Sequence, residues 1–149
     1  MDVRRLGSAD LDLALGAARA LGGDRVGLAP DGAVLEGFLS RESNVLLVAF
    51  SGEAPVGFLI GYVLDRLDGA RPMVCLYEIG VLESRRRQGV GTALVEALLD
   101  IAAALDATKT WTVTHRSNGA AMGLFRETGG VPEAAENDAD QVLSWRRPD

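Results

Sequence analysis

The residues with the clearest capacity for chemistry are consecutive, Arg85-Arg86-Arg87-Gln88-Gly89-Val90-Gly91-Thr92-Ala93-Leu94, in mid-chain. They follow an apolar run that ends at Val81 and lead into a helical pattern that continues to Leu105. The first turn of a helix leaves backbone N–H groups without intrahelical partners, and Gly89 and Gly91 carry no side chains to block close approach, so the segment reads as an anion cradle. The arginines beside it bring fork-shaped donors suited to phosphate oxygens, in a chain that is otherwise acidic. The ligand implied carries phosphates. Two nucleotide patterns fail on spacing. A P-loop needs a lysine that this segment lacks, and a dinucleotide fingerprint needs a small residue where Leu94 stands, at the head of a βαβ repeat.

The elements that must position this loop are read outward from it. Met73 to Val81 is almost continuously apolar, so a central strand covered on both faces is expected. The helix from Gly89 to Leu105 carries Val90, Leu94, Ala97, Leu98, Ile101 and Leu105 in one stripe for packing on that sheet. Upstream, Val3 to Leu6 is a short strand, and a helical pattern from Leu11 to Leu21 stops at Gly22-Gly23. A loop from Gly22 to Pro30 leads to a second helix, from Asp31 through Phe38. Asn44 to Phe50 and Pro55 to Leu64 are strands of a hairpin turning at Ser51-Gly52-Glu53. Downstream come a strand from Thr110 to His115, a helix from Asn118 to Thr128 closed by Gly129-Gly130, and an acidic loop from Glu133 to Asp140. Val142 to Trp145 then makes a last, edge strand. The order β-α-α-β-β-β-α-β-α-β predicts an α/β sheet with helices on both faces, in one domain over residues 1–149.

Composition sets the outer bounds. A chain of 149 residues, 48% apolar and 24% charged, buries a core without disulfides or metal. Its 15 basic and 21 acidic side chains give a net charge of −6, which argues against general nucleic-acid binding and favours a cationic small molecule as partner. The lone cysteine, Cys75, lies in an apolar run and reads as a core residue of a protein from a reducing compartment. The N-terminus shows no signal peptide, and the longest apolar stretch, Val56 to Leu64, is too short for a bilayer. A cytoplasmic location with no membrane partner is the expectation. No residues have metal-ligand spacing, so no metal is expected.

The arrangement Arg86-x-x-Gly89-x-Gly91, preceded by Ile79-Gly80-Val81 and followed by an amphipathic helix, resembles the acyl-coenzyme A pyrophosphate loop of the GNAT acetyltransferase superfamily. Within it, Tyr62-Val63-Leu64, Leu76-Tyr77-Glu78-Ile79-Gly80-Val81 and Arg85-Arg86-Arg87-Gln88-Gly89 look most like the type I aminoglycoside 3-N-acetyltransferases, which carry a Tyr-Asp-Leu-Ala-Val strand and an Arg-Arg-Gln-Gly loop. The resemblance covers essentially the whole chain. It implies the GNAT fold, a mixed, mostly antiparallel central sheet splayed at the strand carrying Glu78. It also implies acetyl-CoA as coenzyme and transfer of its acetyl group to an amine of an aminoglycoside. The coenzyme pyrophosphate would lie on the N–H groups of Arg87, Gln88, Gly89, Val90, Gly91 and Thr92, with Arg86 and Arg87 near the phosphates. The pantetheine arm would follow Ile79, Gly80 and Val81. Gly80 is otherwise costly inside a strand, so a bulge or close ligand approach is expected there rather than packing. Asn118 and Phe125 occupy the helix frame Asn-x-x-Ala-x-x-Leu-Tyr that completes this coenzyme site.

For the acetyl transfer so implied, a backbone N–H of Ile79 or Val81 would polarise the carbonyl, and Glu78 is the general base. It is the only charged side chain in Met73 to Val81, and it stands where the family motif has an aspartate. The competing role is a structural ion pair with an arginine. His115, the only histidine, ends the strand flanking the splay, where it relays a proton, contacts substrate or is an ordinary polar residue. Phe125 departs from the frame, since many members have a tyrosine there to protonate the leaving thiolate. The thiolate then leaves unassisted, takes a proton from water, or takes one from another group, for which Tyr77, otherwise a packing residue, is a candidate. An aminoglycoside is a polycation, and Glu78, Glu136, Asp138 and Asp140 form an acidic acceptor surface if the tail loop folds over the sheet, the other reading of that segment being a solvated surface loop. Trp111 and Trp145 read as core and edge packing. Two other readings stay open: a polyamine, amino acid or protein amine as acceptor, and a non-catalytic acyl-CoA-binding module. Homodimers are common in the resembling fold, with no residue here to fix one.

Overall fold

In a computed structural model, which describes residues 1–22, 27–69, 71–133 and 139–146, the apolar and β-branched runs form strands and the amphipathic runs form helices. In chain order these are β1 (Asp2–Leu6), α1 (Leu11–Leu21), α2 (Gly32–Leu39), β2 (Asn44–Ser51), β3 (Ala54–Leu64), β4 (Met73–Val81), α3 (Val90–Ala104), β5 (Lys109–His115), α4 (Gly119–Glu127), β6 (Val131–Glu133) and β7 (Asp140–Arg146). Local chemistry sets the ends. Asp31 caps α2 by accepting hydrogen bonds from the N–H groups of Ala33 and Val34, each at 3.1 Å. Asn118 caps α4 in the same way through Ala121 N–H, and Gly52, at φ 62°, turns β2 into β3.

Among the described residues the sheet has seven strands in the order β1-β2-β3-β4-β5-β7-β6. Every neighbouring pair is antiparallel except β4 and β5. One face packs against α3 and α4 through Leu47, Leu59, Val74, Leu76, Leu94 and Leu98. The other packs against α1 and α2 through Ala14, Ala17, Leu35, Leu46, Val48 and Phe58. Strand alternation explains the division, since successive residues of β2 and β3 serve opposite cores. The expected α/β sheet with helices on both faces is the observed one.

Two placements differ from the sequence reading. The last strand, β7, is not an edge. It lies between β5 and a short strand, β6, that the sequence reading did not assign. The cause is Glu133 at the end of β6. Its carboxylate accepts hydrogen bonds from Ser144 Oγ at 2.7 Å and from Lys109 Nζ at 3.1 and 3.2 Å, and Arg146 lies 3.3 Å away. The second difference is in β4, which is central but covered only in its first half. Val74, Cys75 and Leu76 are buried, whereas Tyr77 is exposed and Glu78 to Val81 are half-buried. Cys75 is a core residue, and burial pushes its thiol pKa up, away from the thiolate a nucleophile needs.

The hydrogen bonds from Ser144 and then Lys109 hold the Glu133 carboxyl below the usual range. A carboxyl that gives up its proton more readily in the folded state stabilises the fold above the unfolded pKa, and that contribution is lost as pH falls through the folded pKa. Urea unfolding of Glu133→Gln at about pH 7 and about pH 3 checks this. The variant is expected to be less stable than the parent at the higher pH, with the difference shrinking at the lower.

Candidate active site

The site begins where β4 leaves β5. The two strands pair in parallel only from Met73↔Lys109 to Cys75↔Trp111. At the next position the buried Thr112 hydroxyl donates to the Leu76 carbonyl at 2.9 Å, so a side chain takes the place of the ladder. Beyond it the β5-facing edge of β4 has no strand partner among the described residues. The other edge stays paired, with Leu82 N–H donating to Val56 O at 3.0 Å and Gly80 opposite Phe58. Antiparallel pairing alternates, so Gly80 points its backbone groups at β3, while Ile79 and Val81 point theirs into the gap.

A bulge sets the side chains. The β3–β4 register runs Ile60↔Glu78 and then Gly61↔Leu76, which leaves Tyr77 as the extra residue. The expected irregularity therefore exists, but at Tyr77 and not at Gly80. Gly80 is explained by packing, against expectation, since a Cβ there would lie 2.5 Å from Cε1 of Phe58. The bulge turns Tyr77 and Glu78 toward the α1/α2 side. Tyr77 is 66% exposed, and its ring meets Tyr62 edge-on at 5.5 Å, with Tyr62 meeting Phe38 of α2 at 5.9 Å. Burial, then the neighbouring Tyr77, Cys75 and Glu78, push the Tyr62 pKa up, so its hydroxyl stays protonated.

Glu78 is half-buried and its carboxylate meets backbone: Gly27 N–H donates to Oε1 at 3.0 Å and to Oε2 at 3.1 Å. No arginine pairs with it among the described residues, which do not include Arg25. A cleft of about 320 Å³ is lined by Glu78, Ile79, Gly80, Val81, Phe58 and Arg86, which brings the carboxylate, the freed strand and the basic loop together. A hollow of about 640 Å³ between α4 and the start of β7, lined by Arg116, Met122, Arg126 and Gln141, shares none of these residues. The smaller cleft is the better candidate because the unpaired strand edge opens beside it.

The loop itself is shaped by backbone. A short 3-10 turn at Glu83–Arg85 is followed by Arg87 at φ 61° and Gly89 at φ 81°, both left-handed, and no side chain caps α3. The first-turn N–H groups of α3 are thus left to solvent or a ligand. Gly89 supplies the φ, whereas Gly91 serves packing: a Cβ there would lie 3.0 Å from Leu124 Cδ2 of α4. Gln88 Nε2 donates to Ser84 O at 3.2 Å and closes the turn.

Other predicted residues fall elsewhere. Phe125 is 2% exposed and lies in the core, its ring edge-on to Trp145 at 5.6 Å, so its ring offers no surface to a coenzyme. Asn118 is engaged as the α4 cap. His115 is exposed, and its Nδ1 hydrogen-bonds within its own turn to Ser117 Oγ at 2.5 Å. Asp140 is paired with His115 across β5 and β7, with β5 between it and the strand of Glu78. Glu136 and Asp138 lie outside the described residues. Sequence reading missed Gly27, Thr112, Phe58 and Tyr62. Gly27 had a signal only in being a glycine, and Thr112 is indistinguishable from other strand threonines.

A parallel pair that parts after three rungs thus lies beside the uncapped start of α3 and its arginine-bearing loop. Residues 24–129 match the model of the acetyltransferase (GNAT) family, and the chain belongs to that family. It is an acetyl-CoA-dependent N-acetyltransferase. No curated protein matches it in sequence. Among solved structures, it is similar to an aminoglycoside acetyltransferase from an uncultured soil metagenomic sample, in complex with sisomicin, at 22% identity and a TM-score of 0.76 over 93% of this chain and 91% of that one. A second aminoglycoside acetyltransferase from such a sample shares 24% identity at a TM-score of 0.75 over 92% and 95% of the two chains. The PaiA N-acetyltransferase of Thermoplasma acidophilum, in complex with coenzyme A, shares 15% identity at a TM-score of 0.75 over 98% of this chain and 98% of that one. At these identities the likeness shows the fold. No helix among the described residues is long and apolar enough to cross a membrane.

Proposed function

We propose that this enzyme acetylates an amine of an aminoglycoside, at the 3-amino group by resemblance, with Glu78 as general base. The observation that carries the reading is the Glu78 carboxylate standing in the cleft beside the unpaired edge of β4. The residues present fit the coenzyme. The gap that receives Ile79 and Val81 backbone groups suits a pantetheine amide chain, and the uncapped start of α3 with Arg86 and Arg87 suits a pyrophosphate. When bound, acetyl-CoA supplies an activated acetyl thioester. The N–H of Ile79 or Val81 polarises the carbonyl, and Glu78 takes the proton that an ammonium must lose before it attacks.

Supporting the acceptor class are the net charge of −6, the exposed Tyr77 ring beside Glu78 as a face for a cation, and the likeness in fold to two aminoglycoside acetyltransferases. The second reading keeps the coenzyme and base but gives a polyamine or a protein amine as acceptor. Thiol release from acetyl-CoA with gentamicin, kanamycin, spermidine and mixed peptides separates the two. Turnover is expected on the aminoglycosides. Turnover confined to spermidine or peptides moves the assignment to the second reading.

A further inference from the structure

We propose that Gly27 is a positioning residue whose backbone N–H aims the Glu78 carboxylate into the cleft, an inference that rests on Glu78 being the base. The contact spans 51 positions of sequence and engages both carboxylate oxygens, at 3.0 and 3.1 Å. Only glycine allows it. A Cβ at position 27 would lie 2.1 Å from Oε2 and 3.1 Å from Cδ of Glu78. The backbone of Gly27 is not in the left-handed region, so its conformation does not call for glycine. The approach of the carboxylate does.

The donor is itself held. Leu28, next in sequence, is 3% exposed in the core under α1 and α2. Its carbonyl lies so close to Gly22 that a Cβ there would stand 2.3 Å from it, so the chain returns tightly against the end of α1. Asp31 then fixes the start of α2. A single N–H placed in the fork between two oxygens sets the plane of the carboxylate and leaves its outer lone pairs for an incoming ammonium. A base held this way reaches the substrate without first giving up side-chain freedom.

The test is steady-state thiol release with acetyl-CoA and whichever of gentamicin and spermidine is turned over, for Gly27→Ala, Glu78→Asp, the double variant and Glu78→Gln. Gly27→Ala is expected to lower kcat about 10²-fold, as displacement of a reacting group by an ångström does, with the KM for acetyl-CoA unchanged. Shortening the carboxylate stem makes room for the new methyl group, so the double variant is expected to match Glu78→Asp within about threefold. Wild-type kcat in Gly27→Ala overturns the proposal, as does the same loss whether residue 78 is Glu or its shorter replacement, since the loop then acts without the carboxylate. Should Gly27→Ala not fold, the double variant decides: folded and as active as Glu78→Asp supports the positioning role, and unfolded overturns it. Wild-type kcat in Glu78→Gln overturns the base reading itself, a result distinct from a neutral Gly27→Ala beside an inactive Glu78→Gln.

Discussion

Replacing Glu78 with glutamine is expected to lower kcat by about 10²–10⁴-fold while leaving acetyl-CoA affinity unchanged, the range by which a positioned general base contributes. The substitution keeps the side chain's length and shape, and of the two oxygens that accept from Gly27 N–H one remains as the amide oxygen while the other becomes an NH2 donor, so half of that contact is kept. What is lost is the capacity to take a proton from an ammonium. Thiol release measured beside a calorimetric titration of acetyl-CoA reads the two effects separately. A fall in coenzyme affinity matching the fall in kcat would make Glu78 part of the coenzyme site rather than the base. Arg86, which lines the same cleft, stands closer to that role.

Phe58→Ala is expected to cost about 3–5 kcal/mol of stability, the usual penalty for removing a buried aromatic side chain. Phe58 is 1% exposed, belongs to the core under α1 and α2, and lies across Gly80 on the neighbouring strand. The ring fills the space that a side chain on residue 80 would occupy, with 2.5 Å between its Cε1 and a Cβ there. Gly80→Ala alone is therefore expected to destabilise by about 1–3 kcal/mol through overpacking. In the Phe58→Ala background the added methyl enters the vacated space, and the same change is expected to be neutral or stabilising. Urea unfolding of the four proteins checks this reversal of sign. Equal effects of Gly80→Ala in both backgrounds would mean that the glycine serves the ligand gap and not the ring.

The elements were legible because their signals are local. The α3 stripe through Val90, Leu94 and Leu98, the Asp31 and Asn118 caps, and the Gly52 turn each act within a few residues of chain, where periodicity and capping chemistry apply directly. The loop proposed to hold the pyrophosphate was legible for the same reason, being ten consecutive residues with its glycines and arginines in view. β6 was not, since three residues with a proline among them carry no alternation, and their strand character comes from Glu133 being held by Lys109 and Ser144.

The sequence by itself determined which segments are strands and helices, β6 apart, that a glycine- and arginine-bearing loop leads from β4 into α3, and that Glu78 is the one carboxylate on β4. Tertiary structure alone decided how these meet. The bulge at Tyr77 exists only relative to the register of β3, which fixes the face Glu78 occupies. The gap begins where the β4–β5 ladder ends at Cys75↔Trp111 and the Thr112 hydroxyl takes the Leu76 carbonyl. Gly27 reaches Glu78 only after α1, the loop and the sheet have packed. Each is a contact between residues far apart in the chain, whose geometry depends on strand order and packing rather than on the residue types that local pattern can read.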